Sequence, residues 1–350
     1  MKNIYKSIIA VLLTAVLVLP MVTFAGNKDR SGQAGASELL INPWARSSGW
    51  GGVNVANSFG LESIYTNVAG LAFTKKTELI FSNTQWLKGS SIGINNFGFA
   101  QKVGESSVLG VTVMTMSFGD IPITTTELPE GGIGTFSPSY MNINIAYAKA
   151  FSNSIYGGFN FKIISESISD VGAQGVAIDA GIQYITGDKE NIHFGISLKN
   201  VGPTMKFKGD GLSIRSFLPG QESQFTVEHR SADFEMPSQL NIGGSYAFIF
   251  SETHTLSLSA AFISNAFNKD QYVLGAEYNL KNYLLLRGAY TYEDGINNMN
   301  RTTALTGPSA GCSIQVPINK EKNSIFSIDY SYRASNPFKG CHTMAVRLSF

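Results

Sequence analysis

The stretch Gln239–Phe250, QLNIGGSYAFIF, alternates with a strict period of two. Leu240, Ile242, Gly244, Tyr246, Phe248 and Phe250 fall on one side, and Asn241, Gly243 and Ser245 on the other. That pattern is a β-strand with one greasy face and one polar or small face. The same parity recurs in the C-terminal third, with Leu256, Leu258, Ala260 and Phe262, then Tyr272 to Leu280, Phe326 to Tyr332, and Met344 to Phe350 on the apolar side.

Working outward, about fourteen such segments begin near residues 77, 91, 106, 138, 154, 174, 190, 237, 253, 271, 283, 308, 323 and 341. Most run about ten to fourteen residues, longer than ordinary soluble strands and suited to a tilted membrane crossing. In the second segment the apolar set shifts from Ile92 and Ile94 to Phe97 and Phe99, which predicts a β-bulge. Aromatic pairs such as Tyr290 with Tyr292, Tyr330 with Tyr332 and Phe248 with Phe250 fit interfacial girdles.

The connections give an independent criterion. Those after even-numbered segments are short, around Gly104, Ser152, Gly187, Ser251, Lys281 and Lys320. Long ones follow odd-numbered segments: 118–137, 202–236, 293–307 and 334–340. Short turns on one rim and long loops on the other are the pattern of an outer-membrane barrel, which puts both chain ends on the periplasmic side. Phe350 closes the last segment in outward phase, as barrels of this kind commonly end. The predicted fold class is therefore all-β, a transmembrane antiparallel β-barrel of about 14 strands, in the bacterial outer membrane.

Composition agrees. The 350 residues are 43% hydrophobic and only 15% charged, with 36 Gly, 14 Tyr and 23 Phe, too apolar for a disordered chain and too aromatic for a helical bundle. Residues 1–25 read as a signal peptide, with Lys2 and Lys6, an apolar core from Ile8 to Leu19, and small residues at Thr23 and Ala25. Its removal takes two lysines and leaves the mature chain with one net negative charge, which excludes an electrostatic footprint for nucleic acid. Cys312 and Cys341 are the only cysteines; an exported chain could pair them or leave two thiols.

Parity also assigns a lumen face: Asn160, Lys162, Asp179, Gln183, His193, Lys199, Glu277, Arg287, Asp329, Arg333 and Arg347. This face is polar and carries both signs of charge. A three-residue turn at Lys281–Tyr283 sets Glu277 opposite Arg287 as a structural ion pair. The four histidines, His193, His229, His254 and His342, show no metal spacing, and the Gly-rich GGVNVANSFG and EGGIG lack a phosphate-binding context. The expectation is a protein that is not an enzyme and uses no cofactor and no metal.

The long loops are unusually apolar. Phe207, Phe217, Leu218 and Phe225 in 202–236, with Ile121 and Phe136 in 118–137, are candidate partner-binding residues. Ordered loops that merely cap the lumen are the competing reading.

Four stretches resemble the PorV/PorQ family of Bacteroidetes outer-membrane proteins, a branch near the FadL-like transporters. They are GQAGASELLINPWARSSGWGGVNVA (Gly32–Ala56), SIYTNVAGLAF (Ser63–Phe73), SLKNVGP (Ser197–Pro203) and MPSQLNIGGSYAF (Met236–Phe248). Arg46, Gly51, Gly52, Asn67, Ala69, Gly70 and Leu71 match the family's pattern, and Val68 stands where its proline is usual. The resemblance implies a 14-stranded barrel over 76–350, with residues 26–75 forming a short helical plug in the lumen. Arg46, Asn67, Gly70, Glu277, Arg287 and Arg347 are then candidates for the plug and its lining. It also implies a task in type IX secretion, with cargo C-terminal domains and translocon or attachment-complex subunits as partners, in contact with outer-membrane lipid. The alternative is a FadL-like channel for hydrophobic small molecules.

Overall fold

The computed structural model describes residues 28–217, 219–220, 223–297, 303–319 and 324–350. The signal-peptide segment and Leu218 lie outside the described residues.

Fourteen antiparallel strands close into a barrel. They are β1 (Thr77–Trp86), β2 (Ile92–Val103), β3 (Ser107–Ser117), β4 (Ser139–Ala150), β5 (Ile155–Ile168), β6 (Val171–Thr186) and β7 (Ile192–Val201). The second half holds β8 (Gln239–Ser251), β9 (His254–Asn265), β10 (Gln271–Leu280), β11 (Leu284–Glu293), β12 (Gly307–Asn319), β13 (Ser324–Arg333) and β14 (Cys341–Ser349). Each strand pairs with its sequence neighbour, and β14 closes on β1 from Glu78↔Ser349 to Gln85↔His342. Closure removes every sheet edge, which a wall facing lipid requires.

The outer face is the apolar one. Phe81, Phe97, Phe159, Ile182, Phe194, Leu274, Ile314 and Met344 are exposed, whereas their chain neighbours Ser82, Asn96, Asn160, Gln183, Val273, Ser313 and Thr343 are buried. Two short hairpins stand in the long loops: Ile121–Pro122 with Thr135–Phe136, and Ser213–Phe217 with Gln224–Glu228. Cys312 and Cys341 are free thiols on strands separated by β13.

Residues 36–74 run inside the barrel, preceded by residues 28–35 at its rim. A five-residue helix, Ala45–Gly49, packs on β11 to β14, and the 3₁₀ turns Gly60–Tyr65 and Val68–Phe73 pack on β1 to β6. This inner segment enters from the long-loop end. Arg30 pairs with Glu235 at 2.5 Å and stacks over Phe267, and Ala34 bridges Glu235. Phe59 and Phe73 then lie at the opposite end, beside His193 and Tyr156 at the starts of β7 and β5. The periplasmic placement of both ends is thus corrected: β1 starts at the short-turn end, but Lys28 to Ile41 sit at the other.

Two further expectations change. Strand β2 has no bulge, since its register to β1 and β3 is continuous. Ile94 instead points inward, fully buried, where it joins an apolar core. That core is the second correction, because the lumen is not polar throughout. Trp44, Leu61, Ile64 and Leu71 of the inner segment pack with Ile80, Val108, Met114 and Ile164 of the wall. A lumen that holds a folded segment is an interior, and interiors bury apolar surface at about 25 cal/mol per Å².

Candidate functional site

The interface between inner segment and wall brings together most of the charged lumen residues. On the β10–β14 side, Arg46 Nη2 donates to Glu277 Oε1 at 3.1 Å and its Nε lies 3.7 Å from Glu62. Glu277 is shared: its second oxygen accepts from Arg287 Nε at 2.9 Å, the cross-strand pair set by the Lys281–Tyr283 turn. Arg287 Nη2 continues to Ser313 Oγ at 2.8 Å, and Ser313 bonds Asp329. Arg347 completes the network, at 2.9 Å from Glu62, 3.6 Å from Glu78 and 3.7 Å from Asp329. Glu78 also accepts the Leu61 N–H at 2.9 Å, so a wall carboxylate caps an inner turn.

These charges are removed from water, and each is held by an opposite charge, which is the condition under which ions can be buried. Burial alone would lower the pKa of Arg46, but Glu277 and Glu62 outweigh it and hold the guanidinium above its ordinary value. The network therefore fastens the inner segment directly to three wall strands, β10 through Glu277, β14 through Arg347 and β1 through Glu78.

The β3–β8 side is held by hydrogen bonds, with one ion pair inside the wall and no ion pair to the inner segment among the described residues. Tyr65 OH accepts from Asn144 Nδ2 at 3.0 Å, and burial pushes its phenol pKa up. Lys199 Nζ donates to Tyr65 O at 2.9 Å. Lys162 pairs with Asp179 at 2.7 Å and with Asn200 Oδ1 at 2.6 Å. Lys199 and Asn200 both face inward because the β6–β7 register slips here: Ile178 opposes Val201 while Ala180 opposes Leu198. Asn200 takes φ +60°, and its N–H is accepted by Asp179 at 2.7 Å. The KN pair of the SLKNVGP stretch is thus a bulge that turns two polar side chains into the lumen.

Asn67 is the pin of this side. Its Nδ2 donates to Val55 O at 2.9 Å and to the wall carbonyls of Ile182 and Ile196 at 3.0 and 3.4 Å. Its Oδ1 accepts from Ala69 N at 3.2 Å, starting the Val68–Phe73 turn. Approach this close requires a bare wall. A Cβ on Gly181 would collide with the Asn67 side chain, one on Gly195 with Val55 O, and one on Gly275 would stand 2.8 Å from Trp50. Within the segment, a Cβ on Gly70 would collide with Ser58 O.

The five described loop candidates form no single cluster: Ile121 and Phe136 are cross-strand partners on one hairpin, and Phe217 and Phe225 share the other. Phe217 and Phe225 are exposed at 59% and 39% on the 213–228 hairpin. Ile121 is exposed and Phe136 half-buried on the other hairpin. Phe207 differs from these in being half-buried against Phe234, with ring centroids 5.5 Å apart, where it packs on the core under the loop. Sequence reasoning missed Glu62, Glu78 and Tyr65. Glu62 had a signal, as the one acid among the small and apolar residues from Gly60 to Phe73.

Residues 72–348 match the family described as type IX secretion system membrane protein PorP/SprF. The chain belongs to the PorP/SprF family. It is an outer-membrane protein, and the family matched is PorP/SprF of the type IX secretion system, not the PorV/PorQ family that the sequence stretches resemble. No curated protein matches the chain. Among solved structures, the toluene transporter TbuX of Ralstonia pickettii is similar at 14% identity, covering 89% of this chain and 98% of the other, with a TM-score of 0.55. The toluene transporter TodX of P. putida is similar at 13% identity, covering 89% and 99%, with a TM-score of 0.54. A Pseudomonas aeruginosa FadL homologue is similar at 11% identity, covering 87% and 97%, with a TM-score of 0.50. At such identities these likenesses establish a FadL-like fold for this PorP/SprF barrel and nothing further.

Proposed function

We propose that this barrel works in type IX secretion as a docking protein at the cell surface. In this reading residues 26–75 are a resident plug, and the long loops bind cargo C-terminal signal domains or surface-attachment components, passing cargo on from the translocon. This is the task that the PorV/PorQ resemblance suggests, and the outer membrane's lipid is its other partner.

The observation that carries the reading is the contrast between an occupied lumen and an exposed apolar loop. The lumen is occupied by a segment held through a buried ion network, whereas the 213–228 hairpin presents Ile214, Phe217 and Phe225 to solvent. Exposed apolar side chains on a folded loop support protein contact. The FadL-like channel reading has the fold likeness in its favour, but an occupied lumen leaves less room for a transported solute.

The test is capture of a cargo C-terminal domain by the purified barrel, before and after deleting residues 203–235. Loss of capture is expected. Unchanged capture would remove the loop's assigned role.

A further inference from the structure

A cleft of about 440 Å³ opens at the long-loop end, between residues 32–41 of the inner segment and the tops of the strands. Leu40, Trp86, Met116 and Phe267 give it an apolar lining, and Glu38 and Arg333 are its charged groups. Arg333 is exceptional among the arginines of the interior. Arg46, Arg287 and Arg347 each contact a carboxylate. Arg333, half-buried, donates only to the Leu305 carbonyl at 3.3 Å and has no carboxylate in ion-pair reach among the described residues. A guanidinium with unused donors, set among apolar and aromatic walls, is a receptor for an anionic oxygen pair. Glu38, likewise without an ion-pair partner among the described residues, lines the cleft from the inner segment's side. Its carboxylate calls for N–H donors on the same ligand, which a polypeptide has and a fatty acid lacks.

We propose that this cleft binds a carboxylate-bearing peptide segment with apolar side chains, with Arg333 taking the carboxylate and Glu38 taking N–H groups. The proposal does not rest on the cargo role of the 213–228 hairpin, because the cleft is built from residues outside 203–235 and the two tests fail separately.

The experiment uses the whole protein in lipid nanodiscs and fluorescently labelled Leu-Phe-Leu probes, read by polarization. The probes carry a free C-terminal carboxylate, a C-terminal amide, or an internal Asp with a C-terminal amide; unlabelled decanoate is the competitor. The free acid should bind at least tenfold more tightly than the amide. Arg333→Gln should weaken the acid by about the same factor and leave the amide unchanged, with Arg333→Lys recovering part of the loss. Glu38→Gln should weaken the peptides. Recovery of affinity by the Asp probe would place the carboxylate on a side chain, within the proposal. Equal binding of acid and amide, equal loss of both in Arg333→Gln, or decanoate displacing the acid peptide at lower concentration than unlabelled peptide would each overturn it. Heat-modifiable migration of each variant on a gel verifies that the barrel has folded.

Discussion

Removing Arg347 should loosen the inner segment more than any other single change in the charge network. Its guanidinium lies within 4 Å of three carboxylates, Glu62, Glu78 and Asp329, and its side chain is 10% exposed against 2% for Glu62. At 2.9 Å and an effective dielectric of about 20, Coulomb's law gives about 6 kcal/mol for the Glu62 contact alone. Desolvation takes back part of this, and breaking a buried pair by removing one partner costs about 3–5 kcal/mol. Arg347→Met should therefore lose about 3–5 kcal/mol, measured by urea unfolding in lipid vesicles through the fluorescence of Trp44 and Trp50, which are buried in the inner segment. Adding Glu62→Gln should return part of the loss, because it removes one stranded carboxylate. A loss below about 1 kcal/mol, the range of exposed ion pairs, with no recovery in the double variant would refute the reasoning.

Asn67→Ala removes donors to three carbonyls and an acceptor for Ala69 N–H, and about 2–3 kcal/mol should be lost in the same titration. Two glycines separate close approach from propensity. Gly195→Ala places a Cβ against the inner backbone at Val55 and should cost about 1–3 kcal/mol, whereas Gly244→Ala, whose Cβ would meet nothing nearer than Phe194 at 3.8 Å, should stay within about 0.5 kcal/mol. On the loop, the double variant Phe217→Ser and Phe225→Ser should cut capture of a cargo domain at least tenfold while leaving the unfolding midpoint in place. Phe207→Ser should instead expose the loop to limited proteolysis, because it removes packing on Phe234.

The wall was legible because a lipid-facing barrel writes its geometry in period two, and the alternation of long and short connections agreed independently with the strands so counted. Glu277 and Arg287 could be paired from the sequence because a three-residue turn leaves one register, and their separation of 2.9 Å is the result. What lay inside was harder to see. Ile94 read as a bulge because inward apolar residues have no place in a water-filled lumen; with Trp44, Leu61 and Ile64 beside it, the residue is core. Lys199 and Asn200, adjacent in sequence, could share a face only through a register slip that alternation does not encode. Glu62 and Glu78 had no visible partner, since Arg46 and Arg347 meet them only after the chain has doubled back into the barrel. The direction of entry from the long-loop end depends on contacts such as Arg30 with Glu235, which are 205 residues apart.

That the inner segment fills the lumen and leaves the outer loops to act is tested most directly by conductance of the purified protein in a planar bilayer. Insertion without a steady open-pore current is predicted, and a persistent ohmic current through the unaltered chain would contradict it.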